Sequence, residues 1–111
     1  MPTNLLGTFE QLCLLALIRL GEDAYGRTIQ EQIETRAGQR VALGQIYVTL
    51  DRLQQKGMVT SKLGESTPTR GGKPKRHFRL TAIGEDALRH SLRTLDLLRE
   101  AGGLRPGEVT Q

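Results

Sequence analysis

Residues 59–80 read VTSKLGESTPTRGGKPKRHFRL. Two short runs, Val59–Leu63 and Lys75–Leu80, flank a stretch rich in glycine and proline, Gly64–Pro74. This pattern predicts a β-hairpin with a long connecting loop. The loop and second run carry Arg70, Lys73, Lys75, Arg76 and Arg79, with no acidic residue between Glu65 and Glu85. The whole chain holds 16 Lys plus Arg against 12 Asp plus Glu, a net of +4. Without these five cations the balance is 11 against 12, so the basic character belongs to this hairpin. A cationic hairpin projecting from a small domain is suited to follow a polyanion.

Three helical patterns precede the hairpin. The first spans Thr8 to Leu20, with Thr8 as its expected cap and apolar residues on nearly all sides, which predicts a helix covered from several directions. The second spans Tyr25 to Arg36, where Tyr25, Ile29 and Ile33 recur every four residues. Gly38 stands where a left-handed C-terminal residue is usual. A very short strand at Val41–Ala42 is compatible with the sequence. The third helix runs from Leu43 or Gly44 to Lys56, with Leu43, Ile46, Leu50 and Leu53 toward the core. Gly44, Gln45, Val48, Asp51, Arg52 and Gln55 then point away, and Tyr47 and Thr49 lie on the flanks. Three helices followed by a two-stranded ribbon is the order of a winged helix-turn-helix.

Thr81 is placed to cap a fourth helix, Ala82 to Glu100. Leu88, Leu92, Leu95 and Leu98 form one apolar stripe on it. Ile83, Ala87 and Leu97 form a second, roughly 120° around. One stripe suffices to dock a helix on its own domain. Two stripes call for a partner, and a second copy is the simplest one. The expected fold is mainly α with a small β-hairpin: an N-terminal arm (1–7), a winged helix-turn-helix domain (8–80), a C-terminal dimerisation helix (81–100) and a flexible tail (101–111).

Other chemistries find little support. Cys13, the only cysteine, lies in the apolar run Leu12–Ile18 and is expected to be a small buried hydrophobe. The two histidines, His77 and His90, lack metal-ligand spacing and are expected on the surface. Gly71–Gly72–Lys73 lacks the residues of a nucleotide phosphate loop, since Thr67 and Pro74 stand at its required Gly and Ser/Thr positions. No nucleophile–base pair is visible, so no enzyme, cofactor or metal is expected. Arg19 closes the first apolar run before it reaches the ~18 residues of a membrane span. Glu10 and Gln11, not a cationic segment, precede that run. A cytoplasmic location is therefore expected, with no membrane partner.

The candidate nucleic-acid contacts follow from residue chemistry. Gln45 and Arg52 can bond adenine and guanine edges bidentately. Thr49 can reach a phosphate or a thymine methyl, and Tyr47 can pack its ring while its hydroxyl reaches phosphate. Arg70, Lys73, Lys75 and Arg76 suit phosphates or the minor groove, and Gly72 allows close backbone approach. A winged domain that binds protein instead of DNA is the alternative. It predicts no salt-dependent DNA binding.

Four segments together resemble the PadR family of bacterial transcription regulators: LGTFEQLCLLALIRL (6–20), DAYGRTIQEQI (23–33), VALGQIYVTLDRLQQKGMV (41–59) and GESTPTRGGKPKRHFRLTAIGEDAL (64–88). The most specific pieces are Tyr25–Gly26, the Tyr47–Leu50–Leu53 helix ending at Gly57, and Arg70–Gly71–Gly72 leading to Leu80–Thr81 and Gly84. The resemblance implies a homodimer that binds palindromic double-stranded operator DNA, usually as a repressor, with helix 3 in the major groove. It further implies a subgroup whose C-terminal part is a single dimerising helix. Some members of that family also respond to a small hydrophobic effector. Ala42 stands where many members have a serine that caps helix 3.

Overall fold

The computed structural model describes residues 5–64 and 74–102. In order these form α1 (Thr8–Leu20), a 3₁₀ turn (Gly21–Asp23), α2 (Gly26–Ala37), α3 (Leu43–Gln55), β1 (Val59–Leu63), β2 (Arg76–Leu80) and α4 (Ala82–Gly102). The expected element order holds, with ends shifted by a residue or two. Val41–Ala42 forms no strand. The expected tail beyond Gly102 lies outside the described residues. Among the described residues, no helix is long and apolar enough to cross a membrane.

The start of α1 differs from expectation. Gly7, not Thr8, occupies the cap position, and Thr8 is the first helical residue. The Gly7 N–H donates to the Glu10 carboxylate at 3.0 Å, and Gln11 Nε2 donates to the Leu6 carbonyl at 2.8 Å. Leu6 is buried in the core, and its N–H donates to the buried Ser91 hydroxyl of α4 at 3.0 Å. The described end of the arm is therefore bolted to the last helix.

α2 begins after Tyr25, whose N–H donates to the Thr28 hydroxyl at 3.0 Å. Its end is left-handed at Gly38 (φ 67°), as expected. α3 starts at Ala42 with no side-chain cap. Two side chains of α2 hold that entry instead. Gln30 Nε2 donates to the Val41 carbonyl at 2.9 Å, and the Val41 N–H donates to Glu34 at 3.4 Å. The turn before α3 is thus fixed by its neighbour rather than by a local oxygen.

β1 and β2 pair antiparallel, with Val59 opposite Leu80, Ser61 opposite Phe78 and Leu63 opposite Arg76. A single bridge joins His77 to Tyr25, and the Phe78 N–H donates to the Ala24 carbonyl at 2.9 Å. The hairpin is thereby sewn to the α1–α2 connection. His77 is half-buried, its ring edge-on to Tyr25 at 5.4 Å, and not the surface residue the sequence suggested. His90 is exposed, as expected.

The core gathers Cys13, Leu14, Ile29, Ile46, Leu50, Leu53, Val59 and Phe78. Burial pushes the Cys13 thiol up to about 12, with the nearby Glu10 charge adding to the shift. α1 packs against α2, α3, β2 and α4, as expected of a helix covered from several directions, and leaves one strip with Leu15 and Ile18 exposed.

α4 leaves the hairpin through Thr81, whose hydroxyl donates to the Gly57 carbonyl at 2.7 Å and accepts from the Gly84 N–H at 3.1 Å. Gly84 is required here, since a Cβ would lie 2.2 Å from the Met58 carbonyl oxygen. The first apolar stripe divides along the helix. Leu88 is 3% exposed and belongs to the domain's own core, with Leu92 packed partly against it. Leu95 and Leu98 are 55% and 75% exposed. Ile83 and Leu97 are exposed too.

Candidate nucleic-acid interface

α3 supplies one face to the core and one to solvent. Ile46, Leu50 and Leu53 are fully buried, while Gly44, Gln45, Val48, Asp51, Arg52 and Gln55 are exposed. Gln45 and Arg52 lie on the outer face as the sequence suggested. Thr49, expected on a flank, is only 6% exposed, but it lines the same groove as Gln45 and Arg52. The Glu10–Lys56 ion pair (3.3 Å) draws the start of α1 alongside that flank of α3. Between them runs an open groove of about 640 Å³, floored by Gln45, Val48 and Arg52 on one side and by Phe9 and Glu10 on the other.

Tyr47 is half-buried, with its ring 6.3 Å from that of Phe78. Its hydroxyl lies over Gly26, in the first turn of α2. A Cβ at Gly26 would sit 2.3 Å from that oxygen, so any other residue would force the tyrosine to shift. Gly26 and Tyr47 thus form one contact between the two helices of the helix-turn-helix.

The opposite flank of α3 meets the root of the hairpin. Arg76 at the start of β2 places its guanidinium 2.8 Å from Asp51 and 3.1 Å from Gln54 Oε1, both on α3. Its Nε donates to Ser61 Oγ on β1 at 3.1 Å, and it lies 4.8 Å over the Phe78 ring. Ser61 in turn donates to Gln54 Oε1 at 2.8 Å. Arg76, expected as a contact to DNA, is thus engaged within the protein.

Lys75, next to it, is exposed. Its ammonium lies 3.2 Å from the Tyr25 hydroxyl and 4.3 Å from that ring's centre. That position is close to the first turn of α2, whose free N–H groups carry partial positive charge. Arg70, Gly72 and Lys73 lie outside the described residues.

Residues 14–90 match the transcriptional regulator PadR-like family. Among curated proteins no sequence match was found. Similar solved structures include a PadR family transcription regulator from hypervirulent Clostridium difficile R20291, at 22% identity and TM-score 0.70, covering 86% of this chain and 94% of that one. A PadR-like transcription factor from Bacteroides fragilis is 25% identical, with TM-score 0.71 and coverage of 86% and 87%. A PadR family transcriptional regulator from Eggerthella lenta DSM 2243 is 26% identical, with TM-score 0.68 and coverage of 84% and 79%.

Proposed function

The chain belongs to the PadR-like family of transcriptional regulators, and from that membership we propose that it is a homodimeric repressor of palindromic operator DNA. It is a winged-helix regulator and not an enzyme. α3 enters the major groove, Gln45 and Arg52 meet base edges, and the hairpin flanks the helix as a wing on the backbone or in the minor groove. The observation that carries this reading is the pairing of an outward α3 face with a basic hairpin rooted on the same helix through Arg76.

Lys75 and the first turn of α2 form the phosphate-facing edge in this reading, with the Tyr47 hydroxyl beside them. Lys75, and the wing cations Arg70 and Lys73, neutralise phosphates. The dimer forms through the outer half of α4, where Leu95 and Leu98 stand exposed.

Selection of bound sequences from a random DNA pool tests the reading. The expected product is a palindrome with half-sites about one helical turn apart, bound with an affinity that falls steeply with salt. No enriched sequence and no salt-dependent binding would instead point to a protein-binding winged domain. A reporter carrying the selected site across its promoter separates repression from activation: removing the regulator raises expression in the first case and lowers it in the second.

A further inference from the structure

We infer that Val48 is a specificity-determining residue that contacts the 5-methyl group of a pyrimidine, in the first instance thymine, in the major groove. The inference rests on the DNA-binding reading above and adds to it a contact that Gln45 and Arg52 cannot make.

Val48 is the large apolar side chain that α3 leaves in solvent, at 58% exposure. A single exposed apolar residue is ordinary on a protein surface. What sets Val48 apart is its direction. At ~100° per residue it lies within about 15° of the direction opposite the mean of Ile46, Leu50 and Leu53. It therefore stands at the pole of the outward face, flanked by Gln45 three residues before and Arg52 four residues after.

It is not among the residues that form or pack against the described core. A β-branched residue has a lower helix propensity than leucine, lysine or glutamine, and Val48 makes no core contact that would offset this. One turn earlier on the same side is Gly44, also exposed, where an added Cβ would meet nothing within 4 Å. The fold does not require glycine there. Its bareness lets the helix come closer to a groove floor, and Val48 is the side chain that such an approach delivers first.

The chemistry of the groove then selects the contact. A valine has no donor or acceptor. The apolar feature a base pair presents in the major groove is the 5-methyl of thymine, and 5-methylcytosine carries the same group. Thr49 was the residue expected to meet a thymine methyl. Thr49 is only 6% exposed and Val48 58%, so Val48 offers such a methyl the larger surface.

The test uses the full-length protein and the DNA site it selects. Each thymine of the half-site is replaced in turn by deoxyuracil, which removes only the methyl. Wild type is expected to lose on the order of fourfold in affinity per half-site at one position, the value of one methyl withdrawn from an apolar contact. Val48→Ala binds the thymine site more weakly and shows no further loss on the uracil site. Val48→Thr, which keeps a methyl, retains part of the discrimination. If the facing base is cytosine, its 5-methylation strengthens wild type but not Val48→Ala.

Specific, salt-dependent binding by a wild type indifferent to every pyrimidine methyl would overturn the role of Val48 and leave the DNA-binding reading intact. So would an equal uracil penalty in Val48→Ala. Absence of any specific binding would overturn both. Unchanged thermal unfolding of Val48→Ala confirms that the readout is recognition and not folding.

Discussion

The Arg76 guanidinium lies 2.8 Å from the Asp51 carboxylate, and this pair fastens the root of the wing to the outer side of α3. Both side chains are partly exposed, so the pair itself adds only a few tenths of a kcal/mol to about 1 kcal/mol. Its larger effect is angular. With Gln54 and Ser61 joined to the same guanidinium, β1, β2 and α3 share one polar node.

Arg76→Ala and Lys75→Ala are expected to separate two functions. Arg76→Ala lowers the urea midpoint slightly and weakens specific binding more than non-specific binding, because the wing loses its fixed angle to the helix. Lys75→Ala leaves the midpoint unchanged and reduces the salt slope by about 0.9 for each phosphate that the lysine neutralises in the wild type. Equilibrium unfolding and a salt titration of binding, run on both variants, check the contrast. Identical behaviour of the two would remove the positioning role.

The seam on α4 is expected to lie in its outer half. Leu95→Glu with Leu98→Glu places charge on exposed positions, so the fold survives and the protein sediments as a monomer. Leu88→Glu, in contrast, buries a carboxylate in the core and unfolds the domain. A Leu95/Leu98 variant that still sediments as a dimer would move the seam elsewhere, with the exposed Leu15 and Ile18 of α1 the next surface to test.

Gly26→Ala is expected to destabilise the protein by about 1–3 kcal/mol, the usual range for overpacking. Propensity alone predicts the opposite sign, since Ala is the better helix former by up to about 1 kcal/mol. The loss comes from the Tyr47 hydroxyl, 2.3 Å from the added Cβ. A double-mutant cycle with Tyr47→Leu measures it: Gly26→Ala becomes mild in that background.

Cys13 is expected to resist alkylation in the folded state and to react only on unfolding. Its folded pKa is raised from the ordinary 9.0 to about 12. Because the folded state holds the proton more tightly, its contribution to stability is complete below pH 9. That contribution falls as pH rises from 9 toward 12, where the unfolded thiol ionises and the folded one does not. Cys13→Ala should show a shallower loss of stability over that window.

Periodicity, with the glycine- and proline-rich breaks, located the helices and strands, because α2, α3 and the hairpin each bury one regular face: Ile29 and Ile33, Ile46, Leu50 and Leu53, Val59 and Phe78. The outward position of Gln45 and Arg52 was legible for the same reason. Side-chain engagement across the chain was not. The four candidate wing cations, Arg70, Lys73, Lys75 and Arg76, looked equivalent by charge, and only the fold brings Asp51 to Arg76. Thr49 sits on a flank by helical angle, and its burial depends on where α1 begins. Leu88, Leu92, Leu95 and Leu98 form one stripe in sequence, but sequence does not tell where the helix passes beyond the body of the domain.

The Leu6–Ser91 bond and the buried Leu88 tie the first half of α4 to the domain that carries α3. In a dimer joined at its outer half, α4 then acts as a spacer of fixed length and phase between two reading heads. One residue inserted after Leu92 turns the far half by ~100° and advances it by ~1.5 Å, which carries Leu95 and Leu98 off the seam. Seven inserted residues restore the phase to within ~20° and lengthen the spacer by ~10 Å. At ~3.4 Å per base pair, each head moves by about three base pairs and the two together by up to about six, so in such a dimer the length of this helix would set the spacing between half-sites.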